Sequence, residues 1–266
     1  MKLPVVVTPE QVNEAEIEGL RIVDLRPLED FSKSHLPGAT HLDASLLNRT
    51  ESPVGGLLPE FASINSTISA LGLQADDHIV AYDQGAGTAA ARLIWVLDAY
   101  GFHASSWLNG GFSAWSAAGF STTTEVALAA PNKASLQFTP GNILSVDQLV
   151  EVLGNEEVRV LDVRSAAEFN GTDVRSARGG HVPNAQHCEW TSVFNDAGQL
   201  KSDDDLLALF DSLGINQRHH VVVYCQTHQR SALTYVVLKY LQFQQVSAID
   251  GAWSAWGNRT DTPIET

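Results

Sequence analysis

Short apolar runs recur at matching places in the two halves of this chain. Arg21-Ile22-Val23-Asp24-Leu25 and Val158-Arg159-Val160-Leu161-Asp162 mix β-branched residues with polar ones and read as short strands. Ile79-Val80-Ala81-Tyr82 and Val221-Val222-Val223-Tyr224 are continuously apolar, the pattern of a strand buried on both faces. The polar pairs Asp76-Asp77 and Gln217-Arg218 precede them as turn signals. Ala89 to Tyr100 and Ala232 to Leu241 are apolar over helical lengths with few breakers. Strands alternating with helices predict an α/β fold built on a mostly parallel sheet with helices on both faces.

The halves are copies of one another. His35-Leu36-Pro37-Gly38-Ala39 parallels His181-Val182-Pro183-Asn184-Ala185, and Gly110-Gly111-Phe112-Ser113-Ala114-Trp115 parallels Gly251-Ala252-Trp253-Ser254-Ala255-Trp256. Asp24 matches Asp162, Asp83 matches Cys225 and Gly110 matches Gly251, at offsets of 138, 142 and 141 residues. A nearly constant offset of that size indicates a duplicated domain, not a short solenoid repeat. The segment from Thr122 to Asn142 contains Pro131, Pro140 and Gly141 and reads as a linker. The expected division is a first domain at 1–125, a linker at 126–142 and a second domain at 143–266.

Composition narrows the class. The 266 residues accommodate two ordinary domains with adequate cores. With 16 Lys+Arg against 31 Asp+Glu, the formal net charge is −15. Such a chain disfavours nucleic acid and anionic membranes as partners, and an anionic substrate needs positive potential local to its pocket. Two cysteines, Cys188 and Cys225, do not make a secreted disulfide framework. The apolar stretch near Met1 is too short for a signal peptide, and no run is long enough to span a bilayer. A cytoplasmic location is the expectation.

Candidate chemistry centres on Cys225. It ends the strand-like run His220 to Tyr224 and is followed by the polar stretch Gln226-Thr227-His228-Gln229-Arg230-Ser231 and then by an apolar helix. A thiol there lies at the carboxyl end of a buried strand, where open α/β sheets place ligands. It also lies at a helix amino terminus, whose free N–H groups favour the negatively charged thiolate. In the first copy Asp83 takes this place, followed by Gly85-Ala86-Gly87. A carboxylate can occupy such a cup but cannot act as a thiolate nucleophile, so the first copy is expected to be non-catalytic and structural. No Cys-x2-Cys or His-x3-His spacing occurs, so no metal site is expected. Gly85-Ala86-Gly87 is too short for a nucleotide fingerprint.

The Cys225 loop resembles the active-site loop of the rhodaneses, a family of thiosulfate sulfurtransferases, in its bacterial tandem-domain form. The resemblance extends to Leu161-Asp162-Val163-Arg164, to Gly179-Gly180-His181-Val182-Pro183-Asn184-Ala185 and to Asp250-Gly251-Ala252-Trp253-Ser254-Ala255-Trp256. It implies two tandem rhodanese-like domains, with the first closing one wall of the pocket. It also implies a double displacement in which Cys225 takes sulfur from a donor such as thiosulfate, becomes a persulfide, and gives the sulfur to cyanide or a thiol. Asp162 resembles the family's loop-supporting aspartate, and Trp190 lies in a segment the family packs near the active loop. Cys-x4-Arg, with four residues between Cys225 and Arg230, is one shorter than the Cys-x5-Arg of related phosphatases and makes a tighter cup, suited to a single sulfur.

Around the cysteine, Gln226, Thr227, His228, Gln229, Arg230 and Ser231 are candidate loop or substrate contacts. Arg230 is expected to pair with Glu168, and Arg164 to make a structural ion pair. Arg175 and Arg178 lie in a polar stretch, Asn170 to Gly180, absent from the first copy. They read either as substrate contacts or as a solvated loop. Cys188 reads as a core residue rather than a resolving thiol. Expected partners are a small-molecule sulfur donor and acceptor, with a protein as a possible sulfur acceptor. No cofactor is expected beyond the covalent persulfide, and the chain is expected to be a monomer. Two other readings remain: a phosphatase or arsenate reductase on the same fold, and a sulfur-delivery or regulatory binding module.

Overall fold

The computed structural model describes residues 3–74, 76–127, 138 and 140–266. They group into two compact units: Met1–Leu47 with Pro59–Thr139, and Asn48–Leu58 with Pro140–Thr266. Most of the expected linker at 126–142 lies outside the described residues.

The first unit contains β1 (Val6–Val7), α1 (Pro9–Asn13), β2 (Leu20–Asp24), α2 (Leu28–Lys33) and β3 (Ala39–His41). After an excursion of the chain, β4 (Arg49–Glu51) and β5 (Val54–Leu57), it continues with α3 (Phe61–Ala70), β6 (His78–Tyr82), α4 (Thr88–Ala99), β7 (Ser105–Leu108) and α5 (Gly111–Ala117). The second unit runs β8 (Ile143–Leu144), α6 (Val146–Val152), β9 (Val158–Asp162), α7 (Ala166–Phe169), β10 (Gln186–His187), α8 (Asp203–Ser212), β11 (His220–Tyr224), α9 (Arg230–Tyr240), β12 (Gln245–Ile249) and α10 (Ala252–Trp256).

The sheet orders are β1-β7-β6-β2-β3 and β10-β9-β11-β12-β8, one topology realised twice, since β8-β12-β11-β9-β10 is the same order read from the other edge. Every pairing within these two sheets is parallel. The apolar runs noted in the sequence form the central strands β6 and β11. All five residues of β6 and the last four of β11 are buried. Successive side chains point to opposite faces, so both faces of each sheet are covered.

Local signals start the helices. Thr8 with Gln11 and Ser145 with Gln148 form reciprocal capping boxes at the same helix of each copy, and Ser165 with Glu168 forms a third at α7. Val160, Val222, Tyr224, Ile249, Trp253 and Trp256 belong to the core of the second unit. Among the described residues, no helix is long and apolar enough to cross a membrane.

The hairpin β4–β5 is the departure from the sequence reading. It lies within residues 1–125 but groups with the second unit. Leu58 N–H donates to Asp250 Oδ1 (2.8 Å) and Gly55 N–H to Ser254 Oγ (3.0 Å), which ties it to the start of α10.

Candidate active site

Hydrogen bonds of strand type continue past the end of β11 and hold Cys225 from both sides. Val163 N–H donates to Tyr224 O (3.0 Å), and Trp253 N–H donates to Cys225 O (2.9 Å). Ser254 N–H then takes Gln226 O (2.9 Å). Cys225 is 1 % exposed, and the four residues after it lead into the amino terminus of α9, whose residues Ser231 to Leu238 are all buried. The thiol is thus anchored on the central strand and faces a helix start, as its place in the sequence predicts.

The loop is fixed side chain by side chain. His228 adopts a left-handed φ of 53°, and its Nδ1 hydrogen-bonds Ser231 Oγ at 2.6 Å, with both residues fully buried. This bond offsets the strain that a non-glycine residue carries there. Gln226 Nε2 donates to Arg175 O (3.1 Å) and to Ser176 Oγ (3.1 Å). Gln229 Nε2 donates to Asn48 Oδ1 (2.6 Å) on the hairpin.

Arg230 pairs with Glu168 in a two-pronged arrangement, NH1 to Oε2 at 2.7 Å and NH2 to Oε1 at 2.8 Å. This is the partner expected from sequence. The carboxylate is 1 % exposed and the guanidinium 21 %. Burial works to raise the Glu168 pKa, but Arg230 and the Ser165 N–H override it and hold the carboxyl down at about 2. For Arg230, burial opposes the charge, and the Glu168 carboxylate and the Cys225 sulfur overcome it and push the pKa up. The Arg230 charge therefore lies within electrostatic reach of the thiol while its prongs are occupied by Glu168.

The arginines of the inserted stretch part company. Arg175 is half-exposed, binds Asp173 (2.7 Å) and stands 3.8 Å from Glu168, at the edge of the Arg230 pair. Arg178 donates to Thr262 O (2.9 Å) and Trp256 O (3.4 Å), so its contacts fasten the carboxyl-terminal segment rather than the loop. Asp162, fully buried, accepts from Arg164 Nε (3.0 Å) and NH2 (2.6 Å). The Arg164 guanidinium lies 4.3 Å from the centre of the Trp253 ring. Cys188 N–H donates to Asp162 O (2.9 Å), so the contacts of Asp162 lie at the strand ends. Trp190 N–H donates to Val163 O (3.1 Å), and its short helical turn packs on α9. The tryptophan whose backbone bonds Cys225 is Trp253, with its ring stacked near Tyr224. Burial pushes the Cys188 thiol pKa up, which suits a core residue.

Sequence reasoning named neither Asn48 nor Gly56, and it gave Asp250 and Ser254 no role beyond the motif in which they stand. Ser52-Pro53-Val54-Gly55-Gly56 marks a hairpin, but nothing in it says what the hairpin packs against. Among the described residues, no cluster of three or more His, Cys, Asp or Glu side chains is placed to hold a metal ion.

In the first copy, Asp83 stands at the end of β6. Its Oδ1 accepts from Gly85 N–H and Gly87 N–H (both 2.9 Å), and its Oδ2 accepts from Ala89 N–H (3.1 Å). The carboxylate fills the cup at the start of α4 with a built-in anion.

Comparison with known proteins agrees with this geometry. The chain is 34% identical over 265 residues to a thiosulfate sulfurtransferase of Azotobacter vinelandii, covering 99% of this chain and 97% of that protein. It is 28% identical to a 3-mercaptopyruvate sulfurtransferase of Escherichia coli, covering 96% and 92%. The crystal structure of an anaerobic ergothioneine biosynthesis enzyme from Chlorobium limicola shares the fold, with a TM-score of 0.87 at 22% identity, covering 98% of this chain and 70% of that one. Residues 8–118 and 145–259 each match the rhodanese-like domain, one match per copy, and the chain belongs to the rhodanese family.

Proposed function

We propose that this chain is a sulfurtransferase that carries sulfane sulfur on Cys225. The observation that carries the reading is a buried cysteine at the end of the central strand, at a helix amino terminus, beside an arginine that Glu168 holds in place. In the first half-reaction the Cys225 thiolate attacks the outer sulfur of thiosulfate. A new S–S bond forms to Cys225, the old one breaks, and sulfite leaves with its electron pair. In the second, cyanide or a thiol attacks the outer sulfur of the persulfide; cyanide leaves as thiocyanate and the thiolate is restored. The charge on Arg230 favours both anionic states of the sulfur, and α9 contributes the positive end of its dipole.

The electrons and atoms balance with donor and acceptor alone, so no cofactor enters the scheme. 3-Mercaptopyruvate, the substrate in the name of the Escherichia coli relative, is the rival donor. The reading includes a cytoplasmic monomer with no nucleic-acid or membrane partner and, beside small thiophiles, a protein thiol as a further acceptor. Both cysteines are free, which fits a reducing compartment.

Intact mass tests the chemistry. Exposure to thiosulfate should add one sulfur atom, cyanide should remove it, and Cys225→Ser should show neither change. A stable mass in the unmodified protein with both donors would remove the reading. Turnover of a phosphate ester or arsenate in the same preparation would favour the phosphatase alternative.

A further inference from the structure

We propose that the hairpin β4–β5 is a positioning element for the Cys225 loop, with Gly56 as its critical residue. The inference deepens the sulfurtransferase reading and rests on it. Gly56 has φ +74°, and a Cβ there would lie 2.3 Å from Thr227 O, 2.6 Å from Thr227 C and 2.7 Å from Thr227 Cα. These are backbone atoms of the second residue after Cys225, so no side-chain rotation can relieve the overlap. Glycine is therefore required twice over, by its own conformation and by the backbone it faces.

The contact controls one peptide plane. Thr227 O is the atom nearest the would-be Cβ, so this carbonyl faces the hairpin. In a planar trans peptide the N–H points opposite to the C=O. The hairpin thus dictates which way His228 N–H points within the loop that joins Cys225 to α9. His228 itself sits at φ 53°, a conformation that needs outside support. That support comes from the Ser231 hydrogen bond behind it and from Gly56 against the preceding residue. Asn48 adds a second hold through Gln229, at 2.6 Å, one residue before α9.

The hairpin is in turn rigidly mounted. Gly55 N–H and Pro53 O both bond Ser254 Oγ (3.0 and 3.4 Å), and Leu58 N–H bonds Asp250. Ser254 N–H binds Gln226 O. One short segment, Asp250 to Ser254, therefore fastens both the hairpin and the cysteine loop. A cup whose N–H groups must aim at one sulfur depends on such over-determined backbone, because stabilisation of a charged centre falls steeply with misalignment.

The test compares two glycines of nearly equal positive φ. Gly38 has φ +77° with nothing within 4 Å of its would-be Cβ, so Gly38→Ala measures the conformational cost alone. Gly56→Ala adds the collision with Thr227. The readouts are the single-turnover rate of Cys225 persulfide formation from thiosulfate and the thermal midpoint. Gly56→Ala should slow persulfide formation roughly tenfold or more while its midpoint falls no further than about twice the Gly38→Ala shift. Gly38→Ala should form the persulfide at the unmodified rate. Asn48→Ala should slow formation roughly threefold, as the hydrogen bond to Gln229 is lost. If Gly56→Ala fails to fold, Asn48→Ala decides. Unmodified rates in Gly56→Ala, or in a folded Asn48→Ala when Gly56→Ala does not fold, would overturn the proposal. Absence of any persulfide in the unmodified protein would instead sink the sulfurtransferase reading, so the two failures are distinct.

Discussion

The Asp83 loop and the Cys225 loop stand at the same place in two copies of one frame. In both copies an aspartate at a strand end binds the arginine two residues on, Asp24–Arg26 and Asp162–Arg164, each at 2.6 Å. In both, the central-strand tyrosine hydroxyl accepts a backbone N–H, from Leu36 (3.2 Å) or Val182 (3.1 Å). A histidine stacks on a phenylalanine in each, His35 on Phe31 and His181 on Phe169, with ring centres 3.9 and 3.6 Å apart. Loop length is the same, with four residues between Asp83 or Cys225 and the helix. The frame is thus a property of the fold, and the chemistry resides in a few substitutions on it. The first copy fills its cup with a fixed carboxylate. The second offers a thiol, with Arg230 where the first has Thr88 and with Glu168 where the first has Asp30.

The two loops also store strain differently. Gly111 (φ +55°) precedes the residue that binds Asp83 O, and its would-be Cβ lies 2.3 Å from that oxygen. The corresponding residue beside Cys225 is Ala252, at φ 50°. The second copy therefore holds L-residues, His228 and Ala252, in the left-handed region on both sides of Cys225, whereas the first copy has Gly111 at the place of Ala252 and puts its positive φ one residue later in the loop, at Gly87.

The most severe way to merge the two loops is Cys225→Asp. It should abolish sulfur transfer and leave no persulfide by mass, while the protein melts no lower than Cys225→Ser, because the carboxylate can bind the loop N–H groups as Asp83 does. A lower melting point for the aspartate variant would mean that the two cups differ in their N–H geometry.

The converse, Asp83→Cys in a Cys225→Ser background, should create no sulfurtransferase. Three N–H groups lose their acceptor, and stability should fall by about 2 kcal/mol in denaturant unfolding. Stable persulfide on residue 83 would show that a thiol on this frame suffices without the Arg230 pair.

The pair itself can be broken from either side, with unequal results. Arg230→Ala leaves a buried carboxylate without its main partner and should cost about 3 kcal/mol. Glu168→Gln, which keeps shape and removes the charge, should cost less. Turnover should fall in both, and their combination should be less than additive by about 1.5–3 kcal/mol. Strict additivity would leave Arg230 acting on substrate independently of Glu168. Acid separates the two as well. Glu168 takes up a proton near 4.5 when unfolded and near 2 when folded. Below pH 4.5 the unfolded chain binds more protons, so the pair's contribution, complete above that pH, is lost as pH falls toward 2. Glu168→Gln should flatten the stability curve in this window, and an unchanged curve would remove the linkage.

The smallest expected effect is that of Ala252→Gly. Relief of the left-handed strain competes with the greater freedom of glycine in the unfolded chain, so the midpoint should rise by the equivalent of about 1 kcal/mol or less. A loss of stability would mean that the Ala252 methyl is worth more in the core than the strain costs.

How much of this was legible beforehand follows from the range over which each signal acts. The duplication, the parallel sheets and the place of Cys225 were readable because strand-end position and hydrophobic period are local properties of the chain. The Arg230–Glu168 pair was readable because the motifs carrying both residues already place them at adjacent strand ends. Arg178 and Trp190 were less so. Arg178 sits in an irregular stretch, where side-chain direction depends on what packs nearby, and turned to the carboxyl-terminal carbonyls; Trp190 opens a short helical turn that packs on α9, while the backbone N–H that reaches Cys225 O is that of Trp253.

By itself, the sequence determined the frame and the strand-end place of Cys225, since capping boxes and apolar runs each act within a few residues. Only the tertiary structure assigned residues 48–58 to the unit that carries Cys225. Asn48 and Gln229 are separated by 181 positions, as are the rest of the hairpin and its holds by comparable distances, and each hold is a single bond or a single close approach. Contacts of that kind leave no periodicity in a chain; they arise because a glycine without a side chain and a loop carbonyl come to occupy the same few ångströms.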